Sequence, residues 1–396
     1  MNVETESELE TKTNQCFEEW EDEHVGLKET LLRGIYAHGY ETPSPIQKQA
    51  ILPMLAGRDV IAQAQSGTGK TGAFTISSLQ LLDEQSPESQ VLVISPTREL
   101  SRQTCSVFSS ISKQMTNVRI KLLVGGTSAE GDREDLGNNR PQIVIGCPGR
   151  IHDMLRRRHL HPEKIHTLIL DEADEMLSSG FKDQIYNIFQ YLNTDIQVAL
   201  FSATMPIELE TLTNKFMRNP VKILVQKDML TLQGIAQYYI ALDCDEHKFM
   251  ALKDLFSTIN MTQCIIYCNS IRRTEDLFNA MMKDSYPVSC IHSNLTEVER
   301  ATAYDDFKGG KSRVLIATDL FARGIDVQQV GVVVNFDLPK NIHIYIHRIG
   351  RSGRWGRKGV GINFVTKRDQ QKLSEIQAYY GTQIDEMPLN FSEGIV

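Results

Sequence analysis

The sequence predicts two tandem α/β units, each built on a parallel sheet covered by helices on both faces, joined by a short linker. Short, continuously apolar, β-rich runs alternate with longer amphipathic stretches along almost the whole chain, which is the pattern of strands buried on both faces. That rhythm breaks at the polar segment 226–234 and then resumes. In the first half, polar, glycine-rich or acidic clusters repeatedly follow the carboxyl ends of the runs, the edge where open α/β sheets bind ligands.

Residues 1–16 are polar and acidic and read as a disordered tail. Between 17 and 225, strands are expected at 59–64, 91–95, 119–124, 142–146, 166–170, 197–201 and 221–225. Runs such as Val91-Leu92-Val93-Ile94 and Thr167-Leu168-Ile169-Leu170 show little polar alternation, so neither face is expected to meet water. The clusters that follow them are 65–71, 96–99, 125–127, 147–150, 171–174 and 202–204. The linker 226–234 carries Lys227, Asp228 and Gly234. From 235 to 396 the second unit repeats the rhythm, with strands at 237–242, 264–268, 287–291, 313–317, 331–336 and 360–365.

A chain of 396 residues holds two or three ordinary domains. With 41% hydrophobic and 23% charged residues it has a globular composition. No apolar run approaches the ~20 residues a membrane span needs, and the amino terminus lacks the apolar core of a secretory signal. Seven scattered cysteines point to reduced thiols, in the cytosol or nucleus. Cys264 and Cys268 share a strand face and read as small core residues. The net charge of −8 excludes nucleic-acid binding by a general positive field, so any such grip must be local.

Ala64-Gln65-Ser66-Gly67-Thr68-Gly69-Lys70-Thr71 follows one expected strand and opens a helix. Glycines let the backbone wrap phosphates, and successive N–H groups at a helix start favour anions. Lys70 supplies a mobile positive charge to the β- and γ-phosphates, and the Thr71 hydroxyl suits Mg²⁺. Asp171-Glu172-Ala173-Asp174 follows another buried run. Alone it is a solvated helix start; downstream of a P-loop, Asp171 becomes the Mg²⁺ carboxylate, Glu172 the general base and Asp174 a positioning residue. Ser202 and Thr204 offer hydroxyls to hydrogen-bond this acidic cluster and report nucleotide state.

The second half has no P-loop but carries His347-Arg348-Ile349-Gly350-Arg351-Ser352-Gly353-Arg354. Such a cluster is either a basic loop satisfied by water or carboxylates, or a set of groups facing anions. Arg351 and Arg354 are the candidates to stabilise a transferring phosphoryl group, and Asp326 to accept from the nucleotide ribose. On this reading the nucleotide site is complete only when the two units close on it.

These motifs, in this order over nearly the whole chain, resemble the DEAD-box RNA helicases, whose two units are RecA-like. Gly39, Tyr40, Pro43, Ile46 and Gln47 match the family's adenine-recognising Q motif. Pro96-Thr97-Arg98-Glu99-Leu100, Gly125-Gly126, Pro148-Gly149-Arg150, Ser202-Ala203-Thr204, Arg323-Gly324-Ile325-Asp326 and the string from His347 to Arg354 match the other motifs. The resemblance implies ATP and Mg²⁺ as cofactors. It places Tyr40, Thr42, Gln47, Ser66, Gly67, Thr68, Gly69, Lys70, Thr71, Asp326, Arg351, Ser352, Gly353 and Arg354 around the nucleotide. Pro96, Thr97, Arg98, Gly125, Gly126, Gly149, Arg150, Thr318 and Gly324 would hold an RNA backbone, and Asp174, Ser202, Thr204 and His347 would couple the two events.

Within the family the chain is similar to the initiation factor four-A branch, through Leu31–Tyr36, Asn214–Met217 and the stretch Tyr379–Asn390; that stretch and Ser352 look most like the exon-junction member. The partners this implies are single-stranded or short duplex RNA and either exon-junction or translation-initiation proteins. A monomer in the nucleus, or alternatively the cytoplasm, with no membrane association, is expected. Cys147 stands where the family usually has Thr, Glu297 where it often has Gln, and Thr42 where Lys is common. By spacing, the family's upstream aromatic residue falls at Asp22, with Phe17 and Trp20 nearby. No catalytic group is lost, so an active ATPase with weakened RNA affinity is expected, acting either as a duplex-opening enzyme or as an RNA clamp that nucleates a ribonucleoprotein complex.

Overall fold

Strand geometry sends alternate residues of a run to opposite faces, so each apolar run must build two cores at once. The computed structural model describes residues 17–64, 67–178, 180–224, 235–258, 263–319, 330–352 and 359–388; the expected tail 1–16 and linker 226–234 lie outside them. The chain divides into two units, Met1–Val225 and Gln226–Val396.

In the first unit the strands are β1 (Val60–Gln63), β2 (Val91–Ile94), β3 (Ile120–Leu123), β4 (Ile143–Gly146), β5 (Thr167–Asp171), β6 (Gln197–Ser202) and β7 (Val221–Leu224). They form one parallel sheet in the order β3-β4-β2-β5-β6-β1-β7. The helices are α1 (Glu29–His38), α2 (Pro45–Leu55), α3 (Lys70–Leu81), α4 (Arg98–Ile111), α5 (Ala129–Asn139), α6 (Pro148–Arg156), α7 (Ala173–Ser178), α8 (Lys182–Phe189) and α9 (Ile207–Phe216). Val91, Val93 and Ala199 join one core with Leu31, Ile51, Phe74 and Phe108 of α1 to α4. Leu92, Ile94 and Leu200 join the other with Ile151, Ile188 and Leu212 of α6, α8 and α9. The parity of the sequence is thus the layering of the fold.

The second unit repeats the scheme with β8 (Ile235–Leu242), β9 (Gln263–Tyr267), β10 (Val288–Ile291), β11 (Val314–Ala317), β12 (Val330–Asn335), β13 (Gly359–Thr366) and β14 (Asp385–Glu386), in the order β10-β11-β9-β12-β13-β8-β14. Its helices are α10 (Lys248–Thr258), α11 (Ile271–Lys283), α12 (Glu297–Lys308), α13 (Ile342–Ile349) and α14 (Gln370–Tyr380). Cys264 and Cys268 lie in the same core, beside Leu252 and Leu277. The edge strand β14 has no counterpart among the expected runs, because two residues carry no readable period. No described helix is long and apolar enough to cross a membrane.

Strand β1 starts one residue after the expected boundary because Asp59 has another task. Its carboxylate accepts the Val198 N–H at 2.8 Å and the Arg218 N–H at 2.6 Å, which ties the start of β1 to β6 and to the segment after α9. Asp59 is buried, so its loss would leave two inward donors without an acceptor. Asp59→Ala should lower stability by about 2–4 kcal/mol in urea denaturation of the full chain. A change below about 0.5 kcal/mol would show that neither bond matters.

Candidate nucleotide and nucleic-acid site

The sheet order sorts the motifs. Adjacent strands β5, β6 and β1 end, respectively, at Asp171–Asp174, Ser202–Thr204 and the P-loop. Adjacent strands β3, β4 and β2 end at Gly125-Gly126, Cys147–Arg150 and Pro96–Arg98. The motifs assigned to the nucleotide and those assigned to RNA therefore occupy neighbouring halves of one sheet edge, although they interleave in sequence.

The P-loop runs from β1 into α3, which opens at Lys70; Ser66 lies outside the described residues. Gly69 has φ +101°, and a Cβ there would sit 2.6 Å from Ser44 Oγ. A Cβ on Gly72 would meet Gln47 Nε2 at 2.4 Å and the Tyr40 ring at 2.8 Å. Gly69 needs glycine for its left-handed φ, and a side chain at either position would displace the Q-motif side chains that pack on the first turn of α3. Gln47 is buried; its Nε2 donates to Gly69 O at 3.2 Å and its Oε1 accepts the Ser44 N–H at 2.7 Å. The carboxamide thus braces the P-loop from within the protein. Tyr40 is half-buried and Thr42 exposed. Phe17 and Trp20 are each 1% exposed, and Trp20 Nε1 donates to Tyr40 O at 3.1 Å. These two aromatics therefore serve as core beneath the Q motif.

Lys70 and Glu172 are both buried, with Nζ 3.4 Å from Oε1. Glu172 has φ +49°, a left-handed conformation costing about 1–2 kcal/mol for a residue with a Cβ. The strain falls at the turn where β5 passes into α7, at the residue facing Lys70. Asp171 is also buried, and burial pushes its carboxyl above the usual carboxylate range; the adjacent Glu172 carboxylate adds to the rise and Lys70 opposes it. A hard dication among these oxygens would reverse that shift, and the Asp171 carboxylate and Thr71 hydroxyl are the donor types Mg²⁺ takes. Thr204 Oγ1 donates to Asp174 Oδ2 at 2.5 Å, whereas Ser202 Oγ donates to Thr204 O at 2.8 Å. Of the two hydroxyls, only that of Thr204 is bonded to the acidic cluster in these described contacts; Ser202 shapes the turn that presents it.

On the other half, Thr97 caps α4 by accepting the Leu100 N–H at 3.2 Å, and Ser101 Oγ donates to Thr97 O at 2.9 Å. The Arg98 guanidinium lies over Gly125, where a Cβ would stand 3.0 Å from Nη2. Pro96 is buried, while Gly126 and Gly149 are exposed. Arg150 is committed within the protein: Nη2 donates to Thr127 O at 2.9 Å, Nη1 to Thr127 Oγ1 at 3.3 Å, and Nη1 pairs with Asp132. Asp132 also pairs with Lys121 at 3.0 Å. Arg150 thus pins the Gly125–Thr127 turn to α5 and α6. Cys147 Sγ lies 3.6 Å from Ser101 Oγ, and burial pushes its thiol up to about 11, so it offers a neutral S–H where a hydroxyl is usual. The Glu297 side chain lies outside the described residues.

In the second unit Thr318 is half-buried at the end of β11. His347, Arg351 and Ser352 are buried at the end of α13, and Arg351 Nε donates to His347 O at 3.1 Å. Gly324, Asp326, Gly353 and Arg354 lie outside the described residues. Within the same string Arg348 is 0% exposed and paired with Asp319. Here the carboxylate-satisfied alternative holds for Arg348. Asp132 and Asp319 were not singled out from sequence, because a lone acidic residue gives no sign of a partner distant along the chain.

Residues 44–212 match the model of the DEAD/DEAH box helicase family and residues 247–356 that of the helicase conserved C-terminal domain. Eukaryotic initiation factor 4A of Caenorhabditis elegans is 51% identical over 391 residues, covering 99% of this chain and 96% of its own. An ATP-dependent RNA helicase eIF4A of Scheffersomyces stipitis is 52% identical over 380 residues, covering 96% and 95%. Among solved structures, Saccharomyces cerevisiae Dbp5 bound to RNA and ADP BeF3 is similar with a TM-score of 0.85 and 36% identity, covering 92% of this chain and 94% of that one. With its sheet edge carrying the P-loop, the Asp171–Asp174 tetrapeptide and the Thr204–Asp174 bond together, the chain belongs to the DEAD-box family and is an ATP-dependent RNA helicase.

Proposed function

We propose that this helicase opens short RNA duplexes in translation initiation, with ATP hydrolysis at the β5-β6-β1 edge resetting its hold on RNA. The observation that carries the cellular role is the identity of about half, over nearly the full length, with proteins named initiation factor 4A. This reading places the chain in the cytoplasm and gives it initiation proteins as partners. A second reading, an ATP-gated clamp in a nuclear exon-junction-like complex, is favoured by Ser352 and the stretch Tyr379–Asn390. Affinity purification separates them: initiation scaffolds among the captured partners support the first, and exon-junction proteins the second.

In the proposed chemistry, Gly67, Thr68 and Gly69 offer backbone N–H groups to the phosphates and Lys70 offers its charge. Asp171 and Thr71 would hold Mg²⁺, which when bound offsets charge on the phosphate oxygens. Glu172 takes the proton of the attacking water, and Arg351 and Arg354 meet the charge on the transferring phosphoryl group. Arg98, Gly125, Gly149 and Thr318 contact the RNA backbone, which fixes a strand without reading its bases; 2′-hydroxyl contacts give the preference for RNA over DNA.

Glu172→Gln should keep ATP and RNA affinity within about threefold while turnover falls by about 10²-fold or more. Turnover at the wild-type rate in that variant would remove Glu172 from the role of base. Arg351→Ala should lower RNA-stimulated turnover by about 10²-fold or more, with a smaller effect on nucleotide affinity. An unchanged rate would remove it from the nucleotide. ATPase activity should rise with single-stranded RNA and not with DNA of the same sequence; the reverse would make DNA the substrate.

A further inference from the structure

The Arg348 guanidinium is held by four hydrogen bonds and an ion pair that reach the ends of three strands. Nε and Nη2 both reach Asp319 Oδ1 at 2.5 Å. Nη2 also donates to Asn269 Oδ1 at 2.8 Å, and Nη1 donates to Asn335 Oδ1 at 3.0 Å and to Asp337 O at 2.6 Å. The guanidinium lies 5.2 Å from the centroid of the Tyr267 ring. Asp319 follows β11, Asn269 follows β9, and Asn335 and Asp337 end and follow β12. These strands are neighbours in the order β11-β9-β12, so one side chain joins the carboxyl ends of three adjacent strands.

The cradle is itself held from outside. The Asp337 carboxylate accepts from Lys248 Nζ at 3.0 Å, from Arg273 Nε at 2.9 Å and from the Asn269 N–H at 3.1 Å. A guanidinium is the side chain suited to this task, since its planar fork points donors in fixed directions, while an ammonium offers at most three from one point. On one side the network touches Asp319, next to Thr318, a residue assigned to RNA. On the other, the Arg351 N–H donates to Arg348 O at 3.2 Å and Ser352 Oγ donates to Ile349 O at 2.8 Å, so the turn carrying Arg351 is built on the helix end that Arg348 anchors.

We propose that Arg348 is a positioning residue: it sets where Arg351 stands and links that position to the Thr318–Asp319 loop, so that RNA contact and phosphate contact move together. This rests on the reading of Arg351 as a group that meets phosphoryl charge. Arg348 acts through its neighbours and touches neither ligand.

The test is steady-state ATPase kinetics of the full chain, with single-stranded RNA, on Arg348→Lys, Arg351→Ala and the double variant. Arg348→Lys should lower RNA-stimulated kcat by about tenfold, with the KM for ATP and the Kd for RNA within about threefold of wild type. In the Arg351→Ala background it should add less than about twofold, because two residues acting as one unit are not additive. Asn269→Ala, which removes a single arm, should move kcat in the same direction by about threefold and guards against a folding defect in Arg348→Lys. If Arg351→Ala alone turns over normally, the reading of Arg351 fails and the inference falls with it. If Arg351→Ala is impaired but the Arg348→Lys loss multiplies on top of it, the inference alone is overturned. A loss of RNA affinity matching the loss of kcat would likewise overturn it, since Arg348 would then be part of the RNA surface.

Discussion

Parallel pairing makes every strand of a sheet end at the same edge, and each functional group discussed above stands at or near such an edge because of it. Hairpins would have sent alternate loops to opposite ends. Here the crossover helices return the chain each time, so Lys70, Glu172 and Thr204, more than 130 positions apart at the extremes, arrive at three adjacent strand ends. The same constraint in the second unit brings Asn269, Asp319 and Asp337 within reach of one arginine.

What distinguishes the two halves of the first edge is how charge is held. On the nucleotide half, Lys70, Asp171 and Glu172 are buried together, with too little water to stabilise them separately. Such a cluster has a field ready for a polyanion and a dication. On the other half, Arg150 and Lys121 pair with Asp132, and Arg150 also holds Thr127 O, which fixes the turn that carries Gly125 and the exposed Gly126. A protein of net charge −8 can grip a phosphate backbone in this way, through shaped loops and few cations instead of a basic field.

The fold was legible because burial on both faces leaves a strong trace: runs such as Val91–Ile94 and Val314–Ala317 have little choice but to be central strands. Several boundaries slipped by a residue or two, and at β1 the shift falls where the Asp59 side chain takes tertiary bonds. The P-loop and the acidic tetrapeptide were legible because their chemistry needs fixed types at fixed spacing. Assignments that depend on a distant partner were not. Nothing near Arg348 in sequence points to Asp319, 29 positions earlier, as its partner in space. Gln47 was read through its resemblance to an adenine-binding residue, and its contact with Gly69 O emerges only when α2 packs on α3. Phe17 and Trp20 carried no periodic signal to show that both would be buried.

The central claim is that nucleotide occupancy and the hold on RNA are one equilibrium. It is tested most directly by measuring RNA affinity of the full chain with and without a non-hydrolysable ATP analogue and Mg²⁺. Linkage requires RNA binding to tighten, by about tenfold or more, when the analogue is present, and analogue binding to tighten by the same factor when RNA is present. Equal RNA affinity in the two conditions would contradict it and would leave the ATPase and the RNA grip as separate properties of one chain.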